Sequence, residues 1–151
     1  MKYPAAAAWL PLLLSACAMT EVGGVMHPTV SGDVVVRGPD GSELHWAPDR
    51  CVSGDLAYFA GFDFLSTHDE GRLRAALDPI DGPVVRWTSE TAGVEQSVVL
   101  HRTDCAQLDV DAKLTAWRVN EVREFTGYVD LQCTSPEGMQ LEGRIAVDHC
   151  H

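Results

Sequence analysis

The chain has 151 residues, of which 46 % are apolar and 22 % are charged. That is enough for one domain with a buried core, and it excludes a disordered chain. Acidic residues outnumber basic residues 22 to 11, for a formal net charge of -11. So negative a surface repels a phosphate backbone, and we expect no nucleic acid as a partner.

Residues 1–16 have the pattern of an export signal. Lys2 supplies a positive start, and residues 5–14 form an uncharged apolar run. This run is shorter than the roughly 20 residues that span a bilayer, but it has the length of a secretory signal. The residues that close it, Leu14-Ser15-Ala16-Cys17, resemble the lipobox of bacterial lipoproteins.

The resemblance implies that signal peptidase II cuts before Cys17 and that the Cys17 thiol carries a diacylglyceryl group. The protein would then be held on a membrane of the bacterial cell envelope by its lipid. The next residue is Ala18 and not the aspartate that retains lipoproteins in the inner membrane. The resemblance therefore implies the outer membrane in a Gram-negative host. The alternative is an ordinary signal peptide that ends at Cys17 by coincidence.

The mature part divides into a tether and one domain. Residues 17–31 contain Gly23-Gly24 and Pro28 without a clear period, which predicts a flexible tether behind the lipidated cysteine. Residues 32–151 are predicted to form a single β-rich domain. Beyond the lipobox, this domain resembles no characterised family.

The first elements of the domain are a hairpin, a strand and a helix. Residues 34–37 and 43–47 flank the turn sequence Gly38-Pro39-Asp40-Gly41, which predicts a hairpin. Residues 55–65 are predicted to form one strand with a kink at Gly61. Thr67 and Glu70 then match a capping box, and apolar residues at helical spacing predict a short helix over residues 68–77.

The rest of the domain alternates apolar and polar residues, as half-buried antiparallel strands do. Strands are predicted at residues 84–88, 95–102, 108–117, 125–133 and 141–148. Seven to eight short strands with one short helix predict a mainly-β fold, either a small antiparallel β-sandwich or an open barrel.

The cysteine count predicts disulfides. If Cys17 carries the lipid, an even number of cysteines is left: Cys51, Cys105, Cys133 and Cys150. In an exported domain this favours two disulfides. Free thiols or a metal site are the alternative, although the spacing contains no CxxC pair.

Register favours one pairing of the four cysteines. A last turn centred on residues 136–138 leaves Cys133 and Cys150 some ten residues apart along the ladder, or roughly 30 Å. A disulfide needs Cα atoms within about 7 Å. A turn at Asn120-Glu121 places Cys133 opposite Leu108, three residues from Cys105. We therefore predict Cys105–Cys133 and, by elimination, Cys51–Cys150.

Two groups of residues are candidates for function. Trp117 and Tyr128 have outward parity on their strands, where they either pack under a covering segment or form a surface that binds an envelope protein or a glycan. His149 and His151 flank Cys150 at the C-terminus and are weak candidates for zinc or copper ligands. The alternative reading is a structural disulfide beside two solvated histidines.

Five carboxylates bracket the predicted helix: Asp63, Asp69, Glu70, Asp78 and Asp81. Their spacing does not match a calcium-binding loop, and the helix dipole explains acidic residues near a helix start more simply.

The sequence contains no GxSxG motif and no paired catalytic carboxylates. We therefore expect a lipid-anchored, disulfide-stabilised module that binds or supports envelope structure without catalysis and without a cofactor. The alternative is a small envelope enzyme or metal-binding protein that uses His149 and His151.

Overall fold

The computed structural model describes residues 28–91 and 94–151. In chain order, the strands are β1 (Thr29–Arg37), β2 (Glu43–Trp46), β3 (Arg50–Ser53), β4 (Ala60–Leu65), β5 (Gly71–Asp78), β6 (Gly82–Thr91), β7 (Val94–His101), β8 (Cys105–Val119), β9 (Val122–Thr134) and β10 (Gln140–Cys150). Short 3-10 helices at Gly54–Ala57 and Arg102–Asp104 complete the described elements.

The strands form two antiparallel sheets of five strands each. Sheet A has the order β2-β1-β10-β9-β8, and sheet B has the order β3-β4-β5-β6-β7. The predicted mainly-β, sandwich-like fold is therefore confirmed, with ten strands among the described residues where seven or eight were expected. The edge strand β8 contacts β4, β5 and β6 in turn, so it runs across the strands of sheet B.

The core lies between the two sheets, where the inward residues of each strand meet. Trp46 of sheet A packs edge-on against Trp87 of sheet B, with ring centroids 5.0 Å apart. Phe62 of sheet B likewise packs against Phe125 of sheet A at 6.1 Å. Aromatic pairs in these orientations stabilise a core beyond the area that they bury. They fix the two sheets against each other.

The helix predicted over residues 68–77 is wrong. The Ser66 hydroxyl accepts hydrogen bonds from the amides of His68 and Asp69, so the supposed capping segment is a turn. Strand β5 follows and pairs with β4 on one side and β6 on the other. Leu73 and Ala75 are fully buried in this strand. The apolar residues fit a period of two as well as a helical period, and pairing on both sides decides between them.

The strand predicted over residues 55–65 is shorter than expected. Residues Gly54–Ala57 form a 3-10 helix, which ends at Tyr58 with a positive φ of 60°. Strand β4 begins only at Ala60.

Two hairpins form where the turn chemistry placed them. Strands β1 and β2 flank the sequence Gly38-Pro39-Asp40-Gly41. Strands β8 and β9 turn at Asn120 and Glu121, which have φ values of 49° and 70°. Positive φ at both central residues is the geometry of a type I′ turn, one of the two common two-residue hairpin turns.

The structure contains the disulfide Cys105–Cys133, which the register favoured, and the disulfide Cys51–Cys150, which followed by elimination. Cys51–Cys150 joins β3 of sheet B to β10 of sheet A, with Cα atoms 5.4 Å apart. Cys105–Cys133 joins β8 to β9, and these two residues lie directly opposite each other.

The register predicted from the turn places Cys133 opposite Leu108, three residues from Cys105. Two irregularities of β8 account for this difference. From Cys105 to Gln107, β8 takes two residue steps where β9 takes one. From Leu114 to Arg118, β8 takes four steps where β9 takes two. The sum of one and two extra residues equals the missing three.

The N-terminal predictions fall mostly on residues that the structure does not describe. The signal at residues 1–16, Cys17 and the tether up to residue 27 all lie outside the described residues. Strand β1 begins at Thr29, so residues 29–31 of the predicted tether belong to sheet A. Within residues 28–91 and 94–151, no helix is long and apolar enough to cross a membrane.

Candidate functional site

Two breaks in the strand register of sheet A lie on either side of Glu124. On β8 the shift lies between Leu114 and Arg118, and on β10 it lies between Val147 and Cys150. Such bulges re-aim side chains and are frequent next to functional sites. Here they direct side chains from two different strands towards one residue of β9, the strand that lies between them.

The carboxylate of Glu124 is buried and receives two hydrogen bonds on the same oxygen. Thr115 Oγ1 donates to Glu124 Oε1 at 3.0 Å, and His149 Nδ1 lies 2.9 Å from the same atom. Glu124 is only 2 % exposed, so these partners are what makes its burial tolerable. The backbone amide of Trp117 donates to Thr115 Oγ1 at 3.2 Å, which links the exposed tryptophan to the buried acid.

His149 is held in an uncommon conformation. Its φ is 59°, in the left-handed region, within the bulge of β10. The hydrogen bond to Glu124 raises the pKa of the His149 imidazole. The negative charges of Glu124 and Asp148 raise it further, and partial burial opposes them. When His149 is protonated, its imidazolium therefore donates a charge-assisted hydrogen bond to the Glu124 carboxylate.

His149 and His151 do not face a common position for a ligand. His149 Nδ1 is bound to Glu124, and His151 Nδ1 lies 2.9 Å from the backbone oxygen of His149. Cys150, between them, is joined to Cys51. In the described part of the chain, no three His, Cys, Asp or Glu side chains are grouped so that they can hold a metal ion.

Trp117 and Tyr128 lie in different surroundings and do not form one patch. Tyr128 Oη donates to Asp109 Oδ2 at 2.7 Å, and the guanidinium of Arg144 lies 4.2 Å from the ring centroid. Its hydroxyl and one face of its ring are therefore engaged within sheet A. Trp117 lies in the β8 bulge further along the sheet and is 63 % exposed.

Trp117 belongs to a group of exposed apolar side chains at the end of sheet A where β1 begins. Seven large hydrophobic residues are exposed in the described structure, and four of them lie at this end. We call these four residues the apolar end: Leu56, Tyr58, Leu114 and Trp117. Thr29, the first residue of β1, pairs with Asp148 at this same end of the sheet.

The 3-10 helix that carries Leu56 and Tyr58 is clamped onto β9. The carboxylate of Asp55 accepts from the backbone amide of Arg123 at 2.9 Å and from its Nη2 at 2.8 Å. The Ser53 hydroxyl donates to the Arg123 carbonyl at 2.7 Å. Hydrogen bonds from Arg123 keep the pKa of the Asp55 carboxyl below its ordinary value, so it stays ionised in this clamp.

The carboxylates considered for calcium are not brought together. Asp63 is buried between Arg72 and Arg74 on the outer face of sheet B. Asp78 Oδ1 accepts from the amides of Ile80 and Asp81 in the turn before β6. Because strand β5 stands in place of the predicted helix, a helix dipole does not explain these carboxylates.

Sequence reasoning missed Glu124 altogether. It lies between Arg123 and Phe125 and has the parity of a solvent-facing residue, so no sequence signal distinguishes it. Its burial results from the bulges on the two neighbouring strands, β8 and β10. These bulges arise from strand pairing and are not marked in the local sequence.

Comparison with protein-family models, with curated proteins and with solved structures found no match to this chain. A sandwich fold by itself does not define a function. The functional argument therefore depends on the positions of the residues described above.

Proposed function

We propose that this protein is a lipid-anchored, disulfide-stabilised lipoprotein of the bacterial cell envelope, a non-catalytic binding module. Its lipid sits on Cys17, and its apolar end is the binding surface, which contacts the interface of the anchoring membrane. The observation that carries the proposal is the position of Leu56, Tyr58, Leu114 and Trp117 at the end of sheet A where the chain enters from Cys17.

The length of the tether keeps this end close to the membrane. Residues 18–28 separate Cys17 from Thr29, which is 11 residues. Fully extended, they span at most about 40 Å. A lipid on Cys17 therefore holds the apolar end within easy reach of the headgroups.

The residue types of the apolar end suit a membrane interface. Tyr58 is 99 % exposed and Trp117 is 63 % exposed. Tryptophan and tyrosine are favoured at the level of lipid headgroups because one part of each ring is apolar and another part is polar. Scattered exposed apolar residues are normal, but four at one end indicate a contact surface.

A rigid scaffold presents these side chains. The Asp55–Arg123 clamp, the Glu124 network and the Cys51–Cys150 disulfide all lie at this end. The carboxylate of Glu124 is occupied by Thr115 and His149 and is shielded from solvent, so it is poorly placed to serve as a catalytic base. This supports a binding role over catalysis.

The experiment is fractionation of cells that express the full chain, with a clickable palmitate analogue to label lipoproteins. We expect the wild-type protein to carry the label and to sediment with membranes. The Cys17→Ser variant should lose the label and appear in the soluble fraction. An unlabelled wild-type protein, or a labelled Cys17→Ser variant, would refute the proposal. In parallel, crosslinking in the native envelope shows whether an envelope protein or a glycan also contacts the module.

A further inference from the structure

The outer face of sheet B carries a row of charged residues in a protein that is otherwise acidic. The register places Asp63 of β4, Arg74 of β5 and Arg86 of β6 side by side across the sheet. Arg72 stands one position along β5 on the same face, next to Thr88. Three arginines therefore share this face, although the whole chain has a net charge of -11.

Asp63 fixes two of the three arginines in place. Its two oxygens accept from Nε and Nη2 of Arg74 at 2.9 and 2.7 Å, and from the same atoms of Arg72 at 3.2 and 2.6 Å. The side chain of Asp63 is 4 % exposed, whereas those of Arg72 and Arg74 are 48 % and 37 % exposed. Both guanidinium groups are held rigidly, and Nη1 of each is left for another acceptor.

Arg86 is the uncompensated member of this row. It lies directly opposite Arg74, and the ion pairs of the described residues include Arg72 and Arg74 but not Arg86. Like charges directly opposite each other on a sheet are unfavourable. Glu95 lines the same small pocket as the three arginines, and the ion pairs of the described residues do not include it. An anion between Arg74 and Arg86 would relieve this repulsion.

An apolar groove begins next to these arginines. The neighbouring cross-strand row contains Ala76, Val84 and His101, and Val99 follows Arg86 within its own row. Together with Phe59 at the strand edge, they line an open groove of about 740 Å³. Arg74 and Arg86 lie at one end of this groove, and the carboxylates of Asp78 and Asp81 lie at the other end, by the turn between β5 and β6. Arg74 stacks on the Phe59 ring, with its guanidinium 4.6 Å from the centroid. Positive charge and apolar wall thus meet at one point.

We propose that this face of sheet B binds an amphipathic oxyanion, a phosphate or carboxylate group attached to an apolar body. The oxyanion lies between Arg74 and Arg86, where planar guanidinium groups present paired donors. The apolar body lies along the groove over Ala76, Val84 and Val99. This site lies on the outer face of sheet B and does not depend on the lipid anchor, although Tyr58 of the apolar end also lines the groove.

The test is calorimetric titration of the full chain with octyl phosphate below its micelle concentration. Inorganic phosphate supplies the oxyanion alone, and an uncharged octyl glycoside supplies the apolar body alone. We expect octyl phosphate to bind about tenfold or more tightly than inorganic phosphate, and the glycoside not to bind. Octanoate, run in the same way, distinguishes a carboxylate site from a phosphate site.

Variants assign the binding to the arginines. We expect Arg86→Gln to weaken octyl phosphate binding about tenfold or more, whereas Arg118→Gln, which removes the same charge from β8, should not change it. Glu95→Gln should tighten binding, because it removes a negative charge from the pocket that the arginines line. Since Arg86→Gln relieves repulsion, its melting temperature without ligand should equal or exceed that of the wild type, which separates lost binding from lost folding.

Three outcomes would overturn the proposal. Equal binding to wild type and Arg86→Gln would remove the oxyanion site. Octyl phosphate no tighter than inorganic phosphate would remove the apolar half of the ligand. Self-association that the Arg86→Gln variant abolishes, without binding of octyl phosphate, would show that a second copy of the chain occupies this face. None of the three measurements depends on the lipid anchor, so they remain informative even if Cys17 carries no lipid.

Discussion

Thr115 and His149 lie on strands that do not pair with each other, yet both hydrogen-bond the same oxygen of Glu124, at 3.0 and 2.9 Å. Strand β9 separates them, and a bulge on each flanking strand turns one side chain inward over it. The buried carboxylate therefore connects three adjacent strands at the end of sheet A that carries Trp117.

The Glu124–His149 pair predicts a pH dependence of stability. The hydrogen bond raises the pKa of His149 in the folded state above its unfolded value of about 6.5. The extra stability is then fully present below that unfolded value, and it is lost as pH rises through the raised pKa. Glu124→Gln removes the negative charge but keeps an oxygen that can accept hydrogen bonds.

We expect the difference in free energy of unfolding between wild type and Glu124→Gln to shrink as pH rises from 5.5 to 9. Urea denaturation at a series of pH values measures it. His149→Gln should show the same loss of pH dependence. His68→Gln, which removes a histidine with a side chain 85 % exposed, controls for the loss of an imidazole. A difference that stays constant with pH would show that the pair is not charged in the folded state.

The two disulfides should contribute unequally to stability. Cys51–Cys150 closes a loop with a sequence separation of 99, and Cys105–Cys133 closes one of 28. In the chain-entropy model these correspond to about 4.7 and about 3.6 kcal/mol.

Urea denaturation of the paired Cys→Ala variants tests this order. We expect loss of Cys51–Cys150 to lower the free energy of unfolding more, because this bridge also joins the two sheets. Each variant is compared with the wild type under the same oxidising conditions. A larger effect from loss of Cys105–Cys133 would contradict this order and show that loop length does not decide how much each bridge contributes.

The sheet-forming part of this fold is visible in the sequence because alternation and turn chemistry are local. The turn at Asn120-Glu121 and the alternation in β8 and β9 predict both strands and, through the register, the Cys105–Cys133 bridge. The same local pattern fails at Leu73–Leu77, where alternation and helical spacing coincide. Only pairing with β4 and β6 selects the strand there.

The candidate sites depend on relationships that local patterns do not contain. Glu124 is buried by bulges on two other strands, and Asp63 is buried by arginines that follow it across a turn. Neither bulge changes the apolar–polar alternation in a way that marks it in advance. Strand parity predicts that Trp117 and Tyr128 face outward, but it does not predict that Asp109 and Arg144 engage Tyr128 while Trp117 stays exposed.

Asp63 predicts a loss of stability in acid. Burial raises the pKa of the Asp63 carboxyl, but the hydrogen bonds and positive charges of Arg74 and Arg72 together lower it more, so it lies below its ordinary value. Its contribution is therefore present above about pH 4 and is lost as pH falls through the lowered pKa.

Asp63→Asn leaves two guanidinium groups without their shared carboxylate. We expect it to cost about 3 kcal/mol at pH 7, the lower end for a broken buried pair because both arginines are partly exposed. The cost should diminish below pH 4. Asp33→Asn on sheet A removes the same charge from an exposed position and should change stability little. Equal effects of the two variants would mean that the arginines do not depend on Asp63.

Trp117 provides a direct measurement of the membrane contact. Trp46 and Trp87 are 0 % and 1 % exposed, so Trp117 is the accessible tryptophan among the described residues. Lipids with brominated acyl chains quench a tryptophan only at close approach. If the apolar end lies at the interface, the fluorescence of Trp117 should be quenched when the anchored full chain is placed in vesicles of such lipids.

The Trp117→Phe variant should remove most of this quenching, while Tyr128→Phe should leave it unchanged, because Tyr128 is held against Arg144 and Asp109 on another part of the sheet. Quenching that persists in Trp117→Phe would come from a tryptophan of another segment. If the protein is labelled and anchored but its fluorescence is not quenched, the lipid on Cys17 stands and the apolar end faces away from the bilayer. In that case its four side chains would be free to bind an envelope partner, and crosslinking from position 117 would be the way to find it.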